Sequence, residues 1–223
     1  MIYPNFIKEK DTIGITSPSN GITQKEKIYR LENAIKKFNN LDFQISETTN
    51  VRTSIKGSSS SPQERAKQVE QLFKDSNISA IICSSGGDFL LEILPHIDFN
   101  IIKNNPKWIQ GFSDPTGLLY TITINLDIAT IYSDNFISFG MNKWHKSLYN
   151  NIEILKGNII EQKSFPKYEE EYTNYIIGDG VKVPLYVTED NTLAFDMIIR
   201  NNGISDFPLC NKSFNLSYCG NDL

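Results

Sequence analysis

Across its first ~155 residues the chain alternates short apolar runs with segments of helical period, and few folds accept that alternation. Asp11-Thr12-Ile13-Gly14-Ile15-Thr16-Ser17 reads as a first strand and ends in the turn-rich Pro18-Ser19-Asn20-Gly21. Thr23 is placed to cap a helix whose apolar residues Ile28, Leu31, Ile35 and Phe38 form one stripe. Leu41-Asp42-Phe43-Gln44-Ile45 alternates and reads as a second strand. A flexible Gly57-Ser58-Ser59-Ser60 loop leads into Ser61-Pro62-Gln63-Glu64. That is a capping box with proline at the first helical position, and its helix turns Ala66, Val69, Leu72 and Phe73 inward. Residues 78–83 are apolar enough for a central parallel strand. A helix through 89–94 follows, then a strand at Trp108-Ile109, a helix near 116–124 and a short strand over 128–132. A last helix carries Trp144, His145, Leu148, Ile152 and Leu155 and ends at Gly157. The order predicts an α/β fold with a doubly wound parallel sheet, whose ligands sit at the carboxyl ends of its strands.

Beyond Gly157 the texture changes. Residues 163–175 are polar and tyrosine-rich, with Glu169-Glu170-Glu171, and read as a linker or surface segment. Residues 181–187 are strand-like, with Pro184 suited to an edge, and 193–200 are helical, closed by Asn202-Gly203. The expected organisation is an α/β N-terminal domain over 1–160, a linker over 161–180, and the remnant of a smaller C-terminal domain, partial or degenerate, over 181–223.

Composition narrows the function classes. Of the 223 residues, 39% are hydrophobic and 22% charged, and a net charge of −4 with interspersed signs points to no nucleic acid and no anionic membrane as partner. The N-terminus has no signal-peptide plan and no apolar run reaches membrane length, so the expected location is the cytoplasm. Cys83, Cys210 and Cys219 are odd in number and widely spaced, which argues against a disulfide framework. With only His96 and His145, and no cysteine pair at two-residue spacing, no metal and no cofactor are expected.

Three special loops follow strand ends: 17–21, 84–88 and 111–114. In the last, an apolar strand runs into Gly111, Ser113 follows, and Asp114-Pro115-Thr116 opens a helix. A serine on a sharp strand-to-helix turn has its hydroxyl pushed out of the sheet, and the next backbone N–H is free for an oxyanion. The other reading makes Ser113 or Asp114 an N-cap with Pro115 in the first turn. The pattern is not G-x-S-x-G, because Pro115 stands at the second glycine position. Gly86-Gly87 likewise reads as a plain turn or as backbone approaching a ligand closely. Convergence of all three loops on one edge of the sheet favours the nucleophile reading of Ser113.

These residues carry a resemblance to the LD-carboxypeptidase family of serine peptidases, and within it to the microcin C immunity branch. The carrying segments are 11–19, 52–65, 81–91 with its Ser-Gly-Gly-Asp, and 105–116, joined by Trp144-His145-Lys146-Ser147 and Ile154-Leu155-Lys156-Gly157. The resemblance covers residues 1–160. It implies Ser113 as nucleophile, with an oxyanion hole from the backbone N–H of Asp114 and one from the Gly86-Gly87 turn. It also implies serine carboxypeptidase-type acyl transfer without a cofactor, and a homodimer. The substrate would be a small murein peptide with an L-to-D bond or an aminoacyl-nucleotide antibiotic.

The chain departs from the family pattern after residue 175, where the Gly-Gly-Asn/Cys-Leu helix start and the late Gly-His segment are absent. The family draws a triad Glu and His from that part. Glu189, in Val187-Thr188-Glu189-Asp190, is the candidate triad acid; its other reading is an exposed acidic turn. Neither His96 nor His145 matches the catalytic motif, and both read as ordinary structural or surface histidines. The expectation is therefore a hydrolase impaired by the missing His segment. The alternative is a non-catalytic binding protein or truncated pseudo-enzyme that keeps the oxyanion pocket.

Overall fold

The computed structural model describes residues 1–165, 167–169 and 185–187, and the chain divides into two units, Met1–Ile159 and Ile160–Leu223. The first unit runs β1 (Thr12–Thr16), α1 (Lys25–Asn40), β2 (Gln44–Glu47), α2 (Pro62–Lys74), β3 (Ile78–Cys83), α3 (Phe99–Asn104), β4 (Trp108–Gly111), α4 (Thr116–Leu126), β5 (Ile131–Tyr132) and α5 (Lys146–Leu155). Short 3-10 helices span Leu90–His96 and Phe136–Gly140. The five strands form one parallel sheet in the order β2-β1-β3-β4-β5. This is the doubly wound sheet that the alternation predicts.

Period-two burial explains its two faces. Ala80 and Ile82 of β3 and Trp108 of β4 join one core with Leu31, Ala34 and Phe38 of α1 and Leu148, Ile152 and Leu155 of α5. Ile81 and Ile109 point the other way, into a second core with Ala66, Val69 and Phe73 of α2 and Leu118 and Ile122 of α4. Phe38 centres the first core, with the rings of Phe43, Phe136, Phe139 and Trp144 around it at 4.9 to 6.3 Å. A buried aromatic of this kind contributes about 3–5 kcal/mol against alanine.

Several local expectations are corrected. Thr23 does not cap α1, whose N-cap is Gln24 with no side-chain bond. The chain is still extended there, because buried Ile22 donates its N–H to the Val51 carbonyl at 2.7 Å. Leu41 to Phe43 close α1 instead of opening β2: Asp42 is left-handed at φ 63°, and the Phe43 N–H returns to the Phe38 carbonyl. The helix expected over 89–94 is a 3-10 turn containing Pro95, which cannot continue an α-helical ladder. The six-residue α3, capped by the Asp98 carboxylate, is too short to show a period and was not expected. His145 lies just before α5 rather than within it.

In this strand order the connections after β1 and β3 leave the shared edge in opposite directions, and such a switch point opens a crevice at the carboxyl ends. In the second unit, Lys167–Glu169 falls inside the segment expected as linker or surface. It pairs antiparallel with Leu185–Val187, inside the expected 181–187 strand. Glu189, the helix expected over 193–200 and the tail lie outside the described residues.

Candidate active site

The loops after β1, β3 and β4 meet at this switch point, and Ser113 stands among them. The last ladder bond between β4 and β5 runs from the Ser133 N–H to the Gly111 carbonyl at 3.1 Å. One residue on, a side chain replaces the strand. Buried Asn135 accepts from the Phe112 N–H through Oδ1 and donates to the Phe112 carbonyl through Nδ2, both at 3.0 Å. With Phe112 clamped on both sides, the chain reverses at Ser113, which takes φ 67°. A left-handed non-glycine residue costs about 1–2 kcal/mol, and such strain persists only where the surroundings impose it. The reversal needs Gly111 beneath it: a Cβ there would lie 2.7 Å from Pro115 Cβ and 3.2 Å from Cys83 Sγ.

Ser113 is exposed, and among the described residues its hydroxyl makes no hydrogen bond. Its carbonyl accepts from the Thr116 N–H at 3.0 Å and from the Thr116 hydroxyl. The cap reading of this turn is corrected, since α4 starts at Thr116 behind Pro115 with no side-chain cap. The Asp114 carboxylate turns away from the helix to accept from the Ser19 hydroxyl and from the Leu90 N–H at 2.9 Å.

The glycine loop closes the other side. A Cβ on Gly86 would sit 3.2 Å from both Cβ and Oγ of Ser113, and one on Gly87 would sit 2.2 Å from Ser19 Oγ. Backbone without side chains is what allows these loops to touch. Among the described residues, the N–H groups of Gly86, Gly87 and Asp114 reach no acceptor. Of the residues nominated from sequence, then, Ser113, Gly86, Gly87 and Asp114 come together in one place.

The other nucleophile or base candidates are otherwise engaged. Burial pushes the Cys83 thiol up to about 12, so it stays protonated near neutral pH and does not compete with Ser113. His96 is exposed, with its Nε2 at 3.3 Å from the side-chain amide of Gln63. His145 caps α5, its Nδ1 accepting from the Ser147 N–H at 3.2 Å. Among the described residues no group of three or more His, Cys, Asp or Glu could hold a metal, and no helix is long and apolar enough to cross a membrane.

Sequence reasoning missed three supports of the site. Asn135 left only a faint signal, a polar run after a strand. Ser19 looked like an ordinary turn residue. Arg65 left a clearer one, an arginine on the face of α2 that also carries Ala66 and Val69. It is fully buried and donates to the carbonyls of Pro18 (2.9 Å), Phe89 (2.7 Å) and Ser60 (3.0 Å), with Glu92 as its ionic partner at 2.5 Å.

A parallel doubly wound sheet with an exposed, left-handed serine at its switch point defines a serine-turn α/β protein. The chain belongs to the LD-carboxypeptidase family, whose N-terminal domain matches residues 13–133. A Vibrio cholerae protein named as a carboxypeptidase is 33% identical over 141 residues, 63% of this chain and 42% of that one. A Bacillus subtilis protein named "Probable murein peptide carboxypeptidase" is 26% identical over 129 residues, 58% of this chain and 39% of its own length. The solved structure of the Microcin C7 self-immunity protein MccF with aspartyl sulfamoyl adenosine, a protein of Escherichia coli, matches with a TM-score of 0.75 at 25% identity. The match covers 86% of this chain and 58% of that one. The chain spans about half the length of the curated relatives it matches.

Proposed function

We propose that this chain is a serine carboxypeptidase-type hydrolase with Ser113 as its nucleophile. The observation that carries this reading is the hydroxyl of Ser113: exposed, unbonded among the described residues, held in a left-handed turn and set 3.2 Å from where a Gly86 side chain would begin. Ser113 Oγ attacks the carbonyl carbon of the scissile bond and gives its proton to a base. The resulting oxyanion is received by the N–H of Asp114 together with one from the Gly86-Gly87 turn. Collapse expels the amine, with a proton, and leaves an acyl-enzyme that water hydrolyses. Glu189 is the proposed triad acid. The relatives' names point to two substrate classes, murein peptides and aminoacyl-nucleotide analogues.

The test is hydrolysis of a murein tetrapeptide and of aspartyl sulfamoyl adenosine by the parent chain and by Ser113→Ala. Loss of the nucleophile is expected to lower turnover by about 10³-fold or more. Equal turnover in the two would remove Ser113 from the mechanism.

One observation favours a second reading, in which the site binds such a ligand without cleaving it. Both histidines of the chain have structural neighbours, His96 at Gln63 and His145 at the start of α5. Saturable binding of aspartyl sulfamoyl adenosine with no Ser113-dependent turnover would select that reading.

A further inference from the structure

The Asp114 side chain does something its backbone role does not require. Its Oδ2 accepts from the Ser19 hydroxyl, in the loop after β1, and from the Leu90 N–H, just past the glycine loop after β3. Ser19 Oγ in turn accepts from the Phe89 N–H at 3.1 Å. A closed ring of hydrogen bonds therefore joins all three loops that meet at Ser113. Residues 84–89 are anchored at one end by β3, where the Ser84 N–H reaches the Thr16 carbonyl at 2.8 Å, and at the other by this ring. Gly86 and Gly87 lie between the anchors, one against Ser113 and the other against Ser19. Behind the ring, buried Arg65 holds the neighbouring carbonyls of Pro18 and Phe89.

The local alternative is a helix cap. A carboxylate one residue before Pro115 is well placed to cap α4, and such caps contribute about 0.5–2 kcal/mol. Asp114 forgoes that and points into the loops instead. Hydrogen bonds to an ionised carboxylate are roughly twice as strong as neutral ones, so one oxygen receiving two donors is a stiff joint.

We propose that the Asp114 carboxylate is the positioning residue of this site: through Ser19 and Leu90 it fixes how far the Gly86-Gly87 amides stand from Ser113. This rests on Ser113 being the nucleophile. Acting only through the oxyanion amides, Asp114 matters more as negative charge develops on the substrate than when the substrate first binds.

Asp114→Ala and Ser19→Ala are each expected to lower kcat by about tenfold or more with KM within about twofold. The double variant should lose little more than the worse single, because the two residues act as one unit. Asp114→Asn, which keeps an acceptor but not its charge, should fall between parent and Asp114→Ala. A readout independent of turnover is amide NMR of the full chain. Asp114→Ala and Ser19→Ala should both shift the Gly86 and Gly87 resonances and speed exchange at Leu90 or Phe89, while Ser61→Ala leaves all of them in place. Should Asp114→Ala fail to fold, Ser19→Ala and Asp114→Asn carry the same readouts. Unmoved Gly86 and Gly87 resonances, or additive losses expressed in KM, overturn the proposal. A parent chain without Ser113-dependent turnover refutes the functional reading instead, and the resonances still decide whether Asp114 positions the glycine loop.

Discussion

Ser61 stands one residue and Ser113 two residues ahead of a proline near the start of a helix, and the fold uses them in opposite ways. Ser61 arrives extended, at φ −61° and ψ 154°, and its hydroxyl accepts from the Glu64 N–H at 3.3 Å. Ser113 arrives after a clamped Phe112, turns left-handed, and leaves its hydroxyl unbonded among the described residues. The residue type is the same and the neighbouring proline is similar. The direction from which the backbone enters decides whether the hydroxyl closes a helix or faces outward. The cost differs too: a cap contributes about 1 kcal/mol, while the left-handed turn consumes a comparable amount.

Four variants press on that contrast. The largest effect is expected from Gly86→Ala. A methyl group 3.2 Å from Ser113 Oγ should lower kcat/KM about tenfold or more with little change in melting temperature. Unimpaired turnover would mean that Ser113 does not work on its Gly86 side. Next comes Ser61→Ala, expected to cost about 1 kcal/mol in denaturant unfolding and to leave Ser113-dependent turnover intact. Measurable loss of activity there would tie the cap to the site. A smaller change of the opposite sign is expected for Ser113→Gly. Relief of the left-handed strain should keep the parent's stability or raise it by at most about 1 kcal/mol, offset in part by glycine's freedom when unfolded. A drop in stability would show that the Ser113 side chain does structural work.

The fourth variant lies one residue before the clamping Asn135. Burial raises the Asp134 carboxyl above its ordinary value, against the opposing Ser138 hydrogen bond and the Arg30 charge. The folded chain thus holds this proton more tightly than the unfolded chain. Stability associated with it is present at low pH and is lost as pH rises through the folded value. Asp134→Asn should therefore melt higher than the parent near neutral pH, with the gap closing as pH falls below the ordinary aspartate range. A variant less stable at every pH would show that the Ser138 hydrogen bond and the Arg30 charge outweigh the desolvation of the carboxylate.

Much of the fold was legible because its signals are short-range. The stripe of Leu31 and Phe38, the apolar run of β3 and the Ser61 helix cap each fall within a few turns of chain, and each formed where expected. The reciprocal half of the capping box did not, because the Glu64 carboxylate accepts from the Gln68 side-chain amide instead. Errors gathered at element boundaries. The start of α1 is set by a distant partner, Val51, which receives the Ile22 N–H, whereas its end is set locally, where the Phe43 N–H turns back to the Phe38 carbonyl. At the candidate site, Ser113, Gly86 and Gly87 could be named from turn chemistry and family resemblance. Asn135 and the side chain of Asp114 could not, since a polar residue after a strand has no periodic pattern to betray its partner.

From the sequence alone came the alternation that demands a parallel sheet, the helix faces that cover it, and the three loops at its carboxyl edge. Only the tertiary structure decided that Ser113, unlike Ser61, caps no helix and is left exposed. The bonds responsible join residues far apart along the chain: Phe112 and Asn135 are 23 positions apart, Ser19 and Asp114 are 95. Local propensity acts over a turn or two, whereas these contacts exist only once the sheet has brought the ends of β1, β3, β4 and β5 side by side.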